Sequence, residues 1–230
     1  MNILVVDDDR EIAQAIEIYL RNEGYNVFKA YDGLEAVNIA SKEDLHLIIM
    51  DIMMPKLDGM QATMRIREEK NIPIIMLSAK SEDYDKITGL NVGADDYITK
   101  PFNPLELIAR VKSQIRRYTN LGSLAGTEAK NVFKTGGLVI DDSTKQVTVD
   151  GEEVQLTPTE YGILKFLTEN AGRVFSIEQI YEKVWDEPAY NPENTVAVHI
   201  RRIREKIEID PKNPRYLKVV WGVGYKVEKH

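Results

Sequence analysis

The chain has no cysteine, which excludes disulfides and thiolate metal sites and fits a reducing compartment. It has no apolar run near the roughly 20 residues a membrane helix needs, so no membrane partner is expected. No charged n-region with a cleavage site precedes the first apolar run, so a signal peptide is not expected and the location is read as cytoplasmic. Histidine is scarce, and His46, His199 and His230 have no nucleotide-binding motif around them. Internal repeats and low-complexity tracts are absent too. A net charge of −7 argues against general polyanion binding by the whole molecule. The charge is uneven, however: from Asn194 to His230 nine Lys/Arg face four acids, a local excess of +5.

What is present is a set of short apolar runs that end in polar groups. Ile3-Leu4-Val5-Val6 runs into Asp7-Asp8-Asp9, and Leu47-Ile48-Ile49-Met50 into Asp51. Ile74-Ile75-Met76-Leu77 is followed by Ser78, and Asp96-Tyr97-Ile98-Thr99 by Lys100-Pro101. Continuous runs rich in Ile and Val predict buried parallel strands. Predicted strands at 2–7, 25–29, 46–51, 73–78 and 96–98 alternate with predicted helices at 10–22, 33–41, 58–69, 82–91 and 103–117. That alternation predicts a doubly wound α/β domain over 1–118 with a five-stranded parallel sheet. Sites in such sheets gather beyond the carboxyl ends of the strands. Three carboxylates crowded there raise one another's pKa unless a cation sits among them, and hard oxygen ligands suit Mg²⁺. A hydroxyl and an ammonium beside them suit a phosphoryl group.

Residues 119–130 are small and polar with two glycines and read as a flexible linker. Beyond it, 131–230 changes character. Strands are predicted at 138–140, 146–149 and 154–156, separated by Asp-Asp-Ser and Asp-Gly turns. Thr157-Pro158-Thr159-Glu160 predicts a capped helix start, and Ser176-Ile177-Glu178-Gln179 a second. A third helix follows Asn191-Pro192, and two short strands flank Gly222-Val223-Gly224. The pattern is that of an α+β winged helix-turn-helix. On the third helix Val196, Ile200, Ile203 and Ile207 form the buried stripe, which puts Asn194, Val198, Arg201, Arg202 and Glu205 on the opposite face. An Asn/Arg face of that kind suits the major groove of double-stranded DNA.

The set Asp7/Asp8, Asp51, Ser78 and Lys100 with the MMPKLDG loop resembles the flavodoxin-like (CheY-like) receiver domain of two-component response regulators. LTPTEYGIL (156–164), TVAVHIRRIREKI (195–207) and VWGVGYKV (220–227) resemble the winged-helix effector domain of the OmpR/PhoB family. DKITGL (85–90) and VWGVGYKVEK (220–229) look closest to VanR-type regulators of glycopeptide resistance. The resemblance implies that Asp51 accepts a phosphoryl group from a sensor histidine kinase. It also implies that Asp8 binds Mg²⁺ directly, Asp7 through water, and that Asp51 and the Met53 backbone carbonyl complete the protein ligands. On the same resemblance Lys100, aimed by a cis Lys100–Pro101 peptide, would offset phosphoryl charge, and Ser78 and Tyr97 would act as the switch; Asp9 is left to start the next helix.

The resemblance further implies a phosphorylation-dependent homodimer. It would form through the face of predicted helix 82–91, the last strand and predicted helix 103–117, with Lys86–Glu106, Asp96–Arg110 and Asp95–Arg117 paired across a two-fold axis and Ile87, Leu90 and Val111 supplying apolar contact. The expected outcome is binding to tandem promoter sites, with RNA polymerase as a further partner and Asn194, Thr195, Val198, Arg201, Arg202, Arg204, Lys218, Trp221 and Lys226 at the DNA. Trp221 stands where many members carry an Arg that enters the minor groove, so packing in the core and contact with DNA both remain open for it. Two other readings also remain: a regulator of the same fold that ignores phosphorylation, and an aspartyl-phosphate phosphatase. The latter wants an acid two residues after the nucleophile, where this chain has Met53.

Overall fold

The structure is a computed structural model that describes residues 1–79, 92–122, 132–186 and 193–230, without the side chains of 79, 120–122, 193 and 194. Predicted helix 82–91, and with it Lys86, Ile87 and Leu90, lies outside the described residues. The chain divides into two compact units, Met1–Tyr118 and Thr119–His230.

The first unit is a parallel sheet in the order β2-β1-β3-β4-β5, with β1 Asn2–Val6, β2 Asn26–Ala30, β3 Leu47–Asp51, β4 Ile74–Ala79 and β5 Asp96–Lys100. Its described helices are α1 Arg10–Asn22, α2 Gly33–Lys42, α3 Gly59–Glu69 and α4 Pro104–Gly122. Side chains alternate across a strand, so each apolar run feeds two cores. Ile3, Val5, Leu47, Ile49, Ile75 and Leu77 pack with residues of α1 and α4 on one face. Leu4, Val6, Ile48, Met50 and Ile74 pack with residues of α2 and α3 on the other. Asp9, Asp32 and Asp58 cap α1, α2 and α3, each accepting backbone N–H groups of the first turn. Asp9 is thereby a helix cap, as expected.

Helix α4 runs on to Gly122, four residues into the segment read as linker. Leu-Glu-Leu-Ile-Ala-Arg-Val-Lys is strongly helix-forming, and nothing at Thr119-Asn120-Leu121 stops the helix before Gly122.

The second unit opens with an antiparallel meander, β6 Val132–Thr135, β7 Leu138–Asp141, β8 Gln146–Val149 and β9 Glu152–Glu153. The sequence pattern missed β6, and it placed the last strand at 154–156, where the chain is already coil and Val154 and Leu156 pack half-buried on the core. Helices α5 Pro158–Glu169, α6 Ile177–Trp185 and α7 Glu193–Ile207 follow, then the hairpin β10 Leu217–Val220 and β11 Gly224–Val227. Both predicted capping boxes form, Thr157 with Glu160 and Ser176 with Gln179. The Thr135 hydroxyl donates to the Glu228 carbonyl at 2.7 Å and accepts from the His230 N–H at 3.0 Å, fastening the first strand of the unit to its last residues. Among the described residues no helix is long and apolar enough to cross a membrane.

Candidate functional site

Neighbouring strands β1 and β3 are in register at Val6 and Met50, so Asp7 and Asp51 emerge side by side. One oxygen from each of Asp7, Asp8 and Asp51 falls within 4.8 Å of the others. Asp7 and Asp51 are buried and Asp8 is exposed, which leaves the cluster open on one side. From the last strand the Lys100 ammonium reaches across, 2.7 Å from Asp7 Oδ2 and 3.1 Å from Asp51 Oδ1. The Lys100–Pro101 peptide is cis. Ser78, on the strand between, has a buried hydroxyl with no hydrogen-bond partner among the described residues. Predicted residues from four strand ends thus gather at one edge of the sheet.

The electrostatics are unbalanced. Burial pushes the Asp51 carboxyl up; Lys100 opposes this, and the charges of Asp7 and Asp8 add to it. Burial alone would pull Lys100 down, but its hydrogen bond to Asp7 and the charge of Asp51 outweigh that and hold it above the usual lysine range. One ammonium facing three carboxylates leaves excess negative charge on an all-oxygen donor set. That donor set fits a hard divalent cation. Met53 lies in the loop after β3 with its side chain exposed. Tyr97 sits half-buried on β5.

The loop 52–58 is pinned in ways the motif did not reveal. The Gly59 N–H donates to the Ile52 carbonyl at 3.0 Å, and a Cβ on Gly59 would lie 2.0 Å from the Asp51 carbonyl oxygen. The Gly33 N–H donates to the Leu57 carbonyl at 3.1 Å, and Lys56, in the left-handed region at φ 67°, pairs with Asp32. Asp58-Gly59 in the sequence was the available signal for this close approach.

Two expected dimer residues lie elsewhere. Asp95 is fully buried, bound to Arg67 at 2.7 Å and to the Ile74 N–H at 3.0 Å. Arg67 also donates to the carbonyls of Gly93, Lys70 and Ile72, so within the chain Asp95 belongs to an internal clamp. Val111 is fully buried in the core. It faces the sheet because it lies one helical turn after Leu107. Asp96 and Arg110 pair within the chain at 2.9 Å, and Arg110 also meets Glu106 at 3.1 Å. Arg117 donates to the Ser113 hydroxyl at 2.9 Å.

In the second unit the expected stripe of Val196, Ile200, Ile203 and Ile207 is buried. The buried face is wider than one stripe, because α7 is covered by α5 and α6 as well as by the hairpin. Thr195, Val198 and Arg202 are buried with it, which removes them from the open face. Arg202 ends 2.8 Å from the buried Glu160 carboxylate, and Lys206 lies 2.7 Å from its other oxygen. Arg204 is half-buried and donates through Nε to the Leu217 carbonyl at 2.9 Å, tying α7 to the first hairpin strand; burial lowers its pKa. It is therefore a structural clamp through Nε. The outward face carries Ala197, Arg201 and Glu205, with Arg201 paired to Glu205 at 2.9 Å. Ala197 was missed, although it stands one turn before Arg201. The side chain of Asn194 lies outside the described residues. Trp221 is 88 % exposed at the hairpin tip, which excludes the core reading, and Lys218 and Lys226 flank it on the strands.

Comparison with known proteins accounts for both units. Residues 3–112 match the response regulator receiver domain, and residues 151–227 match the C-terminal domain of transcriptional regulatory proteins. The regulatory protein VanR of Enterococcus faecium is 49 % identical, covering 99 % of this chain and 98 % of its own. The regulatory protein VanRc of Enterococcus gallinarum is 46 % identical over 99 % and 98 %. The crystal structure of the response regulator DrrB, a Thermotoga maritima OmpR/PhoB homologue, is 37 % identical over 99 % of this chain and 98 % of that one, with a TM-score of 0.51. The order of the two domains and full-length identity to VanR-like regulators make this chain a two-component, DNA-binding response regulator of the OmpR/PhoB family.

Proposed function

We propose that Asp51 is the phosphoacceptor and that its phosphorylation controls self-association and promoter binding. The observation that carries this reading is the convergence of Asp7, Asp8 and Asp51 within 4.8 Å, with Lys100 on two of them and the Ser78 hydroxyl unpartnered beside them. Asp7, Asp8 and Asp51, with the Met53 backbone carbonyl, would hold Mg²⁺, which when bound supplies positive charge against the phosphoryl oxygens.

An Asp51 oxygen attacks phosphorus as the bond to the donor breaks, either the imidazole nitrogen of a sensor histidine kinase or the acyl oxygen of acetyl phosphate. Asp51 becomes an acyl phosphate with roughly two added charges. Lys100 offsets that charge from one side, and the Ser78 hydroxyl donates to a phosphoryl oxygen, gaining the partner it lacks. Movement of Ser78 makes room for Tyr97 to turn inward, which couples the pocket to β5 and α4. Asp96, Glu106, Arg110 and Arg117 on those elements orient a two-fold dimer, a weak contribution from each pair. Dimerisation raises the local concentration of the second effector domain on tandem DNA sites. There Arg201 reads bases, and Lys218 and Lys226 meet phosphates. RNA polymerase is the downstream partner. No external substrate is turned over.

The test is light scattering on wild type and Asp51→Ala with Mg²⁺, before and after acetyl phosphate. A dimer that forms in wild type alone is the expected result. Equal behaviour of the two proteins would transfer control of output away from Asp51.

A further inference from the structure

The chain has two tryptophans in opposite situations. Trp185 is fully buried and stacked on Tyr181 with ring centroids 4.7 Å apart. Trp221 is 88 % exposed, and Val223, two residues on, is 56 % exposed. Large apolar groups exposed together at a turn mark a surface for contact. The turn is presented on a firm base. Phe175 and Tyr225 exchange N–H to carbonyl hydrogen bonds of 2.9 Å in both directions, and a Cβ on Gly224 would lie 1.9 Å from the Phe175 carbonyl oxygen. The Arg204–Leu217 bond joins the other strand to α7.

The strands below the tip carry a second anomaly. Lys218 and Lys226 stand directly opposite each other in the antiparallel register. Like charges in that position repel, and among the described residues the counter-charge paired with Lys226 is Glu228, at 3.0 Å. A paired lysine rung calls for an anion, and an exposed indole above it calls for an apolar slot. A DNA backbone followed by the interior of the minor groove offers both in that order.

We propose that Trp221, with Val223 beside it, is an apolar wedge that the hairpin sets into the minor groove, and that it selects sites by how easily a base step there opens. This rests on the DNA-binding reading and adds a mode of discrimination to it. Arginine in a minor groove senses negative potential and favours narrow A-tracts, whereas apolar wedges part base steps and favour flexible pyrimidine–purine steps. The contribution of Trp221 is thus independent of salt and dependent on the step.

The test uses the full chain and a duplex selected by it from a random pool. Acrylamide quenching of tryptophan emission is read with and without the duplex, and affinity is measured across salt for wild type, Trp221→Ala, Trp221→Phe and Trp221→Arg. The expected result is that the duplex shields the indole. Trp221→Ala should weaken binding roughly tenfold or more, with a salt slope parallel to wild type. Trp221→Phe should keep most of the affinity, and Trp221→Arg should steepen the slope by about 0.9. Replacing a pyrimidine–purine step near the tip by an A-tract should weaken wild type and leave Trp221→Ala unchanged. An indole that stays accessible in a complex that Trp221→Ala forms equally well overturns the wedge while leaving DNA binding intact. Shielding that grows with protein concentration in the absence of DNA overturns it in favour of a second copy. Failure to select any duplex removes the DNA reading itself.

Discussion

Arg202 meets Glu160 at 2.8 Å in the interior of the effector domain, with the Arg side chain 9 % exposed and the carboxylate fully buried. The same carboxylate accepts from Lys206 and from the Thr157 N–H, so one acid serves a helix cap and two basic groups of α7 at once. A buried ion pair is strongly destabilising to break, because one charge is left uncompensated. Glu160→Ala should cost about 3–5 kcal/mol, read by denaturant unfolding of the effector transition. Arg202→Ala should weaken specific and random DNA alike. Arg201→Ala, by contrast, should lower sequence preference more than general affinity.

The same group sets an acid limit. Burial pushes Glu160 up, but the charges of Arg202 and Lys206 and the hydrogen bonds of Lys206 and Thr157 outweigh it, and the carboxyl lies below its ordinary value. A depressed acid contributes stability that is complete above its unfolded pKa, near 4.5, and is lost as pH falls toward the folded value. Effector stability should therefore decline with falling pH below about 4.5. In Glu160→Gln that decline should be shallower, as measured by urea midpoints across an acid series.

At the receiver pocket the charge imbalance predicts a trade between stability and chemistry. Asp51→Asn removes a carboxylate held against burial and two like charges, so without Mg²⁺ its receiver should unfold at a higher temperature than wild type. Adding Mg²⁺ should raise the wild-type midpoint with concentration and move the variant much less. Calorimetry with and without the ion distinguishes the two effects.

Gly59→Ala should be costly although the residue is helical. Its Cβ would sit 2.0 Å from the Asp51 carbonyl oxygen, and a backbone atom in a central strand has nowhere to go. A loss of about 3 kcal/mol is expected, with slower uptake from acetyl phosphate as the strand end shifts. A normal melting temperature would show that the loop relaxes instead.

Asp95→Ala separates packing from assembly. It removes the buried carboxylate that faces Arg67 and the Ile74 N–H, so a loss of about 3–5 kcal/mol is expected. Arg117→Ala, at a half-buried residue bonded to the Ser113 hydroxyl, should change dimerisation more than it changes stability.

The parallel sheet and its pocket were legible because burial on both faces writes itself as unbroken Ile/Val/Leu runs, and the polar group that ends each run falls at the same sheet edge. The capping boxes were legible for the same local reason. Surface assignments were less so. Asp95 and Arg202 look like exposed charges in sequence, and only the fold reveals an opposite charge facing each, 28 and 42 residues away. The open face of α7 was misplaced because periodicity locates one buried stripe, whereas α5 and α6 cover a second side of the helix. Short strands such as β6 and β9 leave too few residues for alternation to register.

Each domain is closed by a hydrogen bond between residues 93 positions apart, Lys100 to Asp7 in the receiver and Thr135 to Glu228 in the effector. Synthesis proceeds from the N-terminus, and contacts this distant form only after the intervening chain has been made. A nascent receiver that has emerged only as far as Asp51 already exposes its carboxylates but has no lysine beside them. On the proposed role of Asp51, the pocket stays incomplete on the ribosome until residue 100 is out, and a partly made regulator would offer a phosphoryl donor nothing complete to act on.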